Sequence, residues 1–177
     1  MKANQKFYIA SALLWSALSL QAAHAALDDA TILAIFDQAN SADIATGKVG
    51  IQNGNSEEVR ALGRMVVTDH TAVRQMGRDL AKKLGITPTP PANDKSAETS
   101  AQAVAALQVK SGAEFDKAYL THEIAYHQAV IDAIKGTLLP AIQDAQLKKL
   151  VTDVLPGFEH HLAATKAAAQ KIGLAAN

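Results

Sequence analysis

Four long segments of the chain carry apolar side chains every three or four residues, which is the repeat of an α-helix with one buried face. The segments span about residues 30–51, 55–84, 111–138 and 143–172. They are rich in Ala, Leu, Lys, Gln and Glu, and they lack the runs of β-branched and aromatic residues that are typical of strands. Because each segment can bury one stripe, we predict an all-α four-helix bundle.

The connection between the second and third long helices is too long for a simple turn. Gly85 is typical of a helix end, and the Pro-rich stretch 87–94 cannot be helical, so we expect a separate short helix at about 95–108. A connection of this length favours a ferritin-like crossover over an up-and-down bundle. Pro140 is predicted to end the third long helix, and Pro156 to kink or break the fourth.

The N-terminal region has the three parts of a secretory signal peptide. Two lysines precede the apolar run 7–20, and the Ala-His-Ala sequence at 23–25 is a cleavage site. The run is too short for a stable membrane span, and no later segment has the ~18 apolar residues that a span needs. We therefore expect residues 1–25 to be removed and 26–177 to form one domain. The expected location is the periplasm, or the periplasmic face of the envelope, of a Gram-negative bacterium.

The net charge and the absence of cysteine limit the partners and the metal ligands that the chain can have. Loss of Lys2 and Lys6 with the signal peptide leaves 15 Lys and Arg against 17 Asp and Glu, so the mature chain has a net charge of −2. A nucleic-acid-binding surface needs a basic excess, and we expect no nucleic acid partner. The chain has no Cys, so any metal site must be built from nitrogen and oxygen ligands.

A histidine interrupts the apolar stripe of three predicted helices, at His70, His127 and His161, and Asp43 takes the matching place in the first helix. One buried imidazole or carboxylate usually finds a hydrogen-bond partner. Four of them, from four helices, can instead converge on a metal ion. We predict His70, His127 and His161 as metal ligands and Asp43 as the fourth. This ligand set suits Zn, Cu(II), Fe or Mn, and disfavours Cu(I), which prefers sulfur.

Two neighbouring acids are not predicted to be ligands. Asp69 precedes His70 and points away from the stripe, so we expect it to be solvated. Glu123 lies four residues before His127, whereas di-iron carboxylate proteins use a Glu-x-x-His spacing, and no Glu-x-x-His occurs in the chain. The sequence therefore argues against a di-iron oxidase. No catalytic motif is recognisable, which favours a non-enzymatic role.

Two other functions remain open at this point. In a metal-free protein, Asp43 would pair with protonated histidines and specify the register of the bundle. Such a protein would be an envelope or stress-related interaction protein, with the Ala-rich stretch 163–177 contacting a second copy or an envelope protein. The third function is haem or small-ligand binding through a histidine, although the lack of C-x-x-C-H excludes covalent haem attachment.

Segments along nearly all of the mature chain resemble the DUF4142 family. The matching segments are 40–43 with Gly47, 64–70 (RMVVTDH), 112–119 with 125–127, and 155–162 (LPGFEHHL). The chain is identified as a member of this family of exported bacterial domains, which are described as ferritin-like and as outer membrane proteins. The resemblance places the recurrent histidines of the family on His70, His127 and His161. The helix-one acid of the family is usually Glu, so the shorter Asp43 is the least secure ligand. The resemblance implies no settled activity.

Overall fold

The computed structural model describes residues 27–174, and nearly all of them are helical. The predicted signal peptide lies outside the described residues. The helices are α1 (Asp29–Asn53), α2 (Glu57–Leu84), α3 (Ser96–Gln108), α4 (Gly112–Ala133), α5 (Leu139–Ala141) and α6 (Ala145–Lys171), with a π-helical turn at Ile134–Leu138. In this part of the chain no helix is long and apolar enough to cross a membrane.

The four long helices pack side by side, and α3 lies in the long connection between α2 and α4. α1 packs against α2 and α3, while α4 packs against α6 and α6 closes the bundle against α2. The all-α bundle predicted from the stripes is therefore confirmed, together with its short extra helix. The ferritin-like comparison stays a prediction.

Side chains satisfy the backbone at the helix starts. Asp28 accepts a hydrogen bond from Thr31 N at 2.7 Å and begins α1, and Asp144 begins α6 in the same way. Ser56 begins α2 by accepting from Val59 N. A side-chain oxygen at this position satisfies an amide that has no partner within the helix.

Asp116 of α4 adds a second clamp on the start of α2. It is buried, and its carboxylate accepts hydrogen bonds from the amides of Asn55 (2.7 Å) and Ser56 (2.8 Å). This contact ties the start of α2 to α4, a link that spacing within one helix cannot reveal.

Proline affects the helices less than the sequence predicts. The third long helix was expected to end at about residue 138, before Pro140; the structure has α4 to Ala133, the π-helical turn to Leu138, and Pro140 within the short α5, which ends at Ala141. The π-helical turn leads directly into α5, since the backbone N–H of Leu139 donates to the carbonyl of Ile134. A kink or a break was expected at Pro156, and the break is wrong, because α6 is continuous over Ala145–Lys171. Val151 and Phe158, on either side of Pro156, are both buried in the core and hold the two halves in one helix.

The apolar core is divided into two clusters with a polar layer between them. One cluster includes Ile32, Phe36, Ile131, Leu147 and Phe158, and the other includes Val59, Leu62, Phe115, Leu120 and Ala169. The side chains of the polar layer are buried and come from all four long helices: Asn40, Asp43, Thr46, His70, Glu123, His127, His161 and Thr165.

Candidate metal centre

The four predicted ligands meet in this polar layer, one from each long helix. Asp43 comes from α1, His70 from α2, His127 from α4 and His161 from α6, and none is more than 3% exposed. One nitrogen of each imidazole lies within 4.8 Å of a nitrogen of each of the others. The structure thus brings together residues that are up to 118 positions apart in the chain.

Three distances between the candidate ligand atoms are short enough for groups around a shared ion. Nε2 of His70 lies 3.0 Å from Nδ1 of His161. Oδ2 of Asp43 lies 2.8 Å from Nε2 of His70 and 3.2 Å from Nε2 of His127. Atoms bound about 2.0–2.1 Å from one ion lie roughly 2.9–3.4 Å apart at octahedral or tetrahedral angles. These three distances are close to that range, and the nitrogen of His127 lies within 4.8 Å of those of His70 and His161.

The orientation of His70 is fixed by Asn40, one turn before Asp43 on α1. The amide nitrogen of Asn40 donates to the carbonyl of Phe36 at 2.7 Å, so its oxygen faces His70. Nδ1 of His70 lies 2.8 Å from that oxygen and must donate to it. In the neutral ring the lone pair is then on Nε2, the atom that faces Asp43 and His161.

The other two imidazoles are oriented in the same way. Nδ1 of His127 lies 3.0 Å from the backbone carbonyl of Glu123, which can only accept. Nε2 of His161 lies 2.9 Å from a carboxylate oxygen of Asp69. In the neutral rings these contacts leave the lone pairs on Nε2 of His127 and on Nδ1 of His161. Metal-bound histidines almost always donate their second N–H to such an acceptor.

Three lone pairs and a carboxylate therefore face each other inside the bundle. The distance from Asp43 to His70 is that of a hydrogen bond, but within the described chain neither oxygen of Asp43 has a donor in hydrogen-bond geometry, and neither does Nε2 of His127. No Lys or Arg is among the buried side chains of residues 27–174. Since unpaired buried charge is costly, this arrangement calls for a cation or extra protons at its centre.

The protonation tendencies agree with a cation-binding centre. Burial lowers the pKa of His127 and of His161, and it outweighs the raising effects of the nearby carboxylates Asp43 and Asp69. Burial alone would raise the pKa of Asp43, but contacts with His70 and His127 keep the pKa below its ordinary value. At neutral pH these shifts favour neutral imidazoles and an ionised carboxylate, the forms that bind metals.

Glu123 is a member of the layer that sequence reasoning missed. It is fully buried, and its carboxylate lies 3.6 Å from Nδ1 of His127. A donor atom of Glu123 lies within 4.8 Å of donor atoms of both Asp43 and His127. The available signal was its position four residues before His127, which puts both side chains on one helix face. Burial and the charge of Asp43 raise the pKa of Glu123 well above its ordinary value.

Asp69 stands at the outer edge of the centre, contrary to the expectation that it is only solvated. Its side chain is 52% exposed, yet it accepts the hydrogen bond of His161. It lines a cleft of about 280 Å³ that is open to solvent and is also lined by His70, His161 and Phe158. This cleft provides a route from solvent towards two of the three imidazoles.

The two remaining histidines of the described chain stay out of the cluster. His160 is exposed, as its polar helix face predicts. His122 is half-buried, stacks on Tyr126 with ring centroids 5.8 Å apart, and lines a separate cleft between α1, α3 and α4. Burial lowers its pKa. The three histidines predicted to lie on buried helix faces, His70, His127 and His161, are therefore the three that meet in the polar layer.

The comparisons with known proteins show the family. A family model described as "Domain of unknown function (DUF4142)" matches residues 16–168. Among curated proteins and among solved structures, none matches the chain significantly. The match spans all four helices that build the buried His and Asp cluster. The chain therefore belongs to the DUF4142 family.

Proposed function

We propose that this protein is an exported, metal-binding helical bundle that holds one divalent transition-metal ion between His70, His127, His161 and Asp43. The observation that carries the proposal is the direction of the hydrogen bonds. Each imidazole donates one N–H to an acceptor outside the cluster, and each turns its other nitrogen inwards. Three such nitrogens with one carboxylate oxygen suit Zn, Cu(II), Fe or Mn.

A cobalt titration tests this function, because Co²⁺ bound by imidazoles gives visible absorption bands. We expect the wild-type protein, stripped of metal, to bind Co²⁺ tightly and with a change in its spectrum. In His127→Ala the affinity should fall by more than about 100-fold, since removal of a ligand costs more than removal of a group that only orients one. His160→Ala is the matched control, because His160 is exposed and adjacent to His161. Equal binding by His127→Ala and wild type would contradict the proposal.

Export to the periplasm is the second part of the proposal, and the N-terminal charge, apolar run and Ala-His-Ala sequence support it. Expression of the full chain followed by cell fractionation tests it. We expect the processed chain in the periplasmic fraction. Ala25→Arg should accumulate as an unprocessed precursor, whereas the small residue in Ala25→Ser should still allow cleavage. Unprocessed wild type in the cytosol would refute export.

A metal-free hydrogen-bond network is the second candidate. It is favoured by one contact, because Nε2 of His70 and Nδ1 of His161 lie 3.0 Å apart in hydrogen-bond geometry. One proton shared by these nitrogens, with Asp43 beside His70, would satisfy part of the layer. The two candidates differ in thermal melting. A saturating metal at 100 times its Kd stabilises the folded state by about 2.7 kcal/mol, so a melt unaffected by metal or chelator favours the network.

A further inference from the structure

The tri-histidine cluster is not the whole of the polar layer. Potential ligands form two overlapping groups, and the second consists of Asp43, Glu123 and His127, whose donor atoms lie within 4.8 Å of one another. His127 connects the groups, but its Nδ1 already donates to the carbonyl of Glu123. The ligands left on this side are therefore the carboxylates of Asp43 and Glu123.

Among the described residues no oxygen of either carboxylate has a donor in full hydrogen-bond geometry, and the two carboxylates face each other closely enough to share a proton. The side chain of Asp43 is 1% exposed and that of Glu123 is 0% exposed. Asp43 is placed between the groups, because its Oδ2 lies 3.2 Å from Nε2 of His127 while the side chain also belongs to the group with Glu123. A carboxylate in such a position can bind one ion through each oxygen.

The hydroxyl of Tyr119 is a further buried oxygen on this side of the layer. Tyr119 precedes Glu123 by four residues on α4 and is 0% exposed, and its hydroxyl also has no hydrogen-bond partner among residues 27–174. Burial is the main cause that raises the pKa of Tyr119, and the charges of Glu123 and Asp43 raise it further. The effect of these charges shows that both carboxylates lie near the hydroxyl. The region thus offers oxygen atoms alone, the type of ligand that hard divalent cations prefer.

We propose a second divalent cation site between Asp43 and Glu123, next to the tri-histidine site, with the Asp43 carboxylate bridging the two ions. This inference rests on the proposed function, because it extends the same centre. Ions that share a bridging carboxylate lie about 3.5–4 Å apart in two-metal sites. No Lys or Arg of the described core pairs with either carboxylate, so both are available as ligands.

The number of ions bound per chain tests the proposal. Metal-free protein is dialysed against excess Co²⁺, and its bound metal is measured by elemental analysis. We expect two ions per chain in wild type and one in Glu123→Gln, which keeps the size of the side chain and removes its charge. Glu114→Gln is the matched control on the same helix, because Glu114 is exposed and paired with Lys110, and it should bind two.

The outcomes separate the second site from the proposed function. No bound ion in wild type contradicts both. One ion in wild type, retained in Glu123→Gln, contradicts the second site and leaves the tri-histidine site intact. If Glu123→Gln still binds two ions, the second ion lies elsewhere, and the assignment of its site to Asp43 and Glu123 is wrong. Wild type loaded with Mn²⁺ provides a measurement that needs no variant. We expect the electron paramagnetic resonance spectrum of a coupled pair, and the spectrum of isolated ions alone overturns the proposal.

Discussion

At the scale of single residues, the chemistry of the centre depends on three acceptors that lie outside it. The side-chain oxygen of Asn40, the backbone carbonyl of Glu123 and the carboxylate of Asp69 each receive one imidazole N–H. Each acceptor selects the tautomer of its histidine, so the free nitrogens all face inwards. Of the three, Asp69 is the one whose substitution disturbs the core least, because its side chain is half exposed.

Asp69→Ala should weaken metal binding without unfolding the protein. Loss of the carboxylate frees His161 to rotate and to adopt the other tautomer, and groups of this kind typically contribute 10–100-fold to metal affinity, so we expect a drop of roughly that size. The measurement is a competition titration with a chelator of known affinity. Asp153→Ala is the control, because Asp153 lines the same cleft but pairs with Lys149. An equal loss in both variants would mean that the general charge of the cleft, and not the contact with His161, sets the affinity.

The affinity of the tri-histidine site for metal should be nearly constant above pH 6.5 and should fall below it. Protons compete with the metal for the imidazoles, and burial lowers the pKa of His127 and His161 from 6.5. Each ring is therefore less protonated at pH 6.5 than a free imidazole, and protons compete with the metal mainly at lower pH. Titrations at a series of pH values test this, and an affinity that changes steeply between pH 7 and 8 would contradict it.

The same two shifts act on the stability of the metal-free protein. Below pH 6.5 the unfolded chain binds more protons at these histidines than the folded chain does, so they make the free energy of unfolding rise with pH in this range. Glu123 acts in the opposite direction, because its pKa is raised in the folded state. Its contribution to stability is present at low pH and is lost as the pH rises through its folded pKa. Metal binding at the tri-histidine site needs neutral imidazoles, whereas binding at the second site also needs Glu123 to be deprotonated.

At the scale of helices, a close approach of α1 and α2 brings Asp43 and His70 together. A Cβ atom on Gly63 would lie 2.7 Å from the carbonyl oxygen of Gly47 and 2.9 Å from the amide nitrogen of Ile51. These are backbone atoms of the facing helix, which cannot rotate away. The two helices can therefore approach this closely only with glycine at position 63.

Gly63→Ala should destabilise the bundle and loosen the metal site. Overpacking of a tight core typically costs about 1–3 kcal/mol, and separation of α1 from α2 also moves Asp43 away from His70. Denaturant unfolding measures the first effect and metal affinity the second. Gly157→Ala is the control: a Cβ placed there would meet no atom within 4 Å apart from its chain neighbours and the backbone of its own helix. Helix propensity should therefore stabilise this variant by up to about 1 kcal/mol. Equal stability of Gly63→Ala and wild type would contradict the close approach.

Helical periodicity predicted most of the helices but not the contacts between them. The stripes predicted the four long helices, and Gly85 and the Pro-rich stretch predicted the end of α2 and the connection after it. A break at Pro156 was one of the two expected outcomes and is absent, because a local rule takes no account of the packing that holds a helix together around a proline. The clamp of Asp116 on the start of α2 depends on a contact between distant segments, so no local pattern reveals it.

At the scale of the whole molecule, the buried polar layer lies between two apolar clusters. Burial of its carboxylates is costly unless their charge is balanced. The pattern of apolar stripes predicted four residues of this layer, because each of them interrupts a stripe. It missed the roles of Glu123, Asn40 and Asp69, because what they do depends on which atoms face them across the bundle. A metal ion bound in this layer would connect all four helices and link the stability of the fold to the supply of metal.

The most direct test is a crystal structure of the Co²⁺-loaded protein with an anomalous difference map at the cobalt absorption edge. We predict a peak in the polar layer at about 2.0–2.2 Å from Nε2 of His70, Nε2 of His127 and Nδ1 of His161, which are bond lengths typical of an imidazole nitrogen bound to a divalent transition metal. A peak at surface carboxylates only, or a polar layer with no peak in a fully loaded crystal, would contradict the central claim that these three histidines form a metal site.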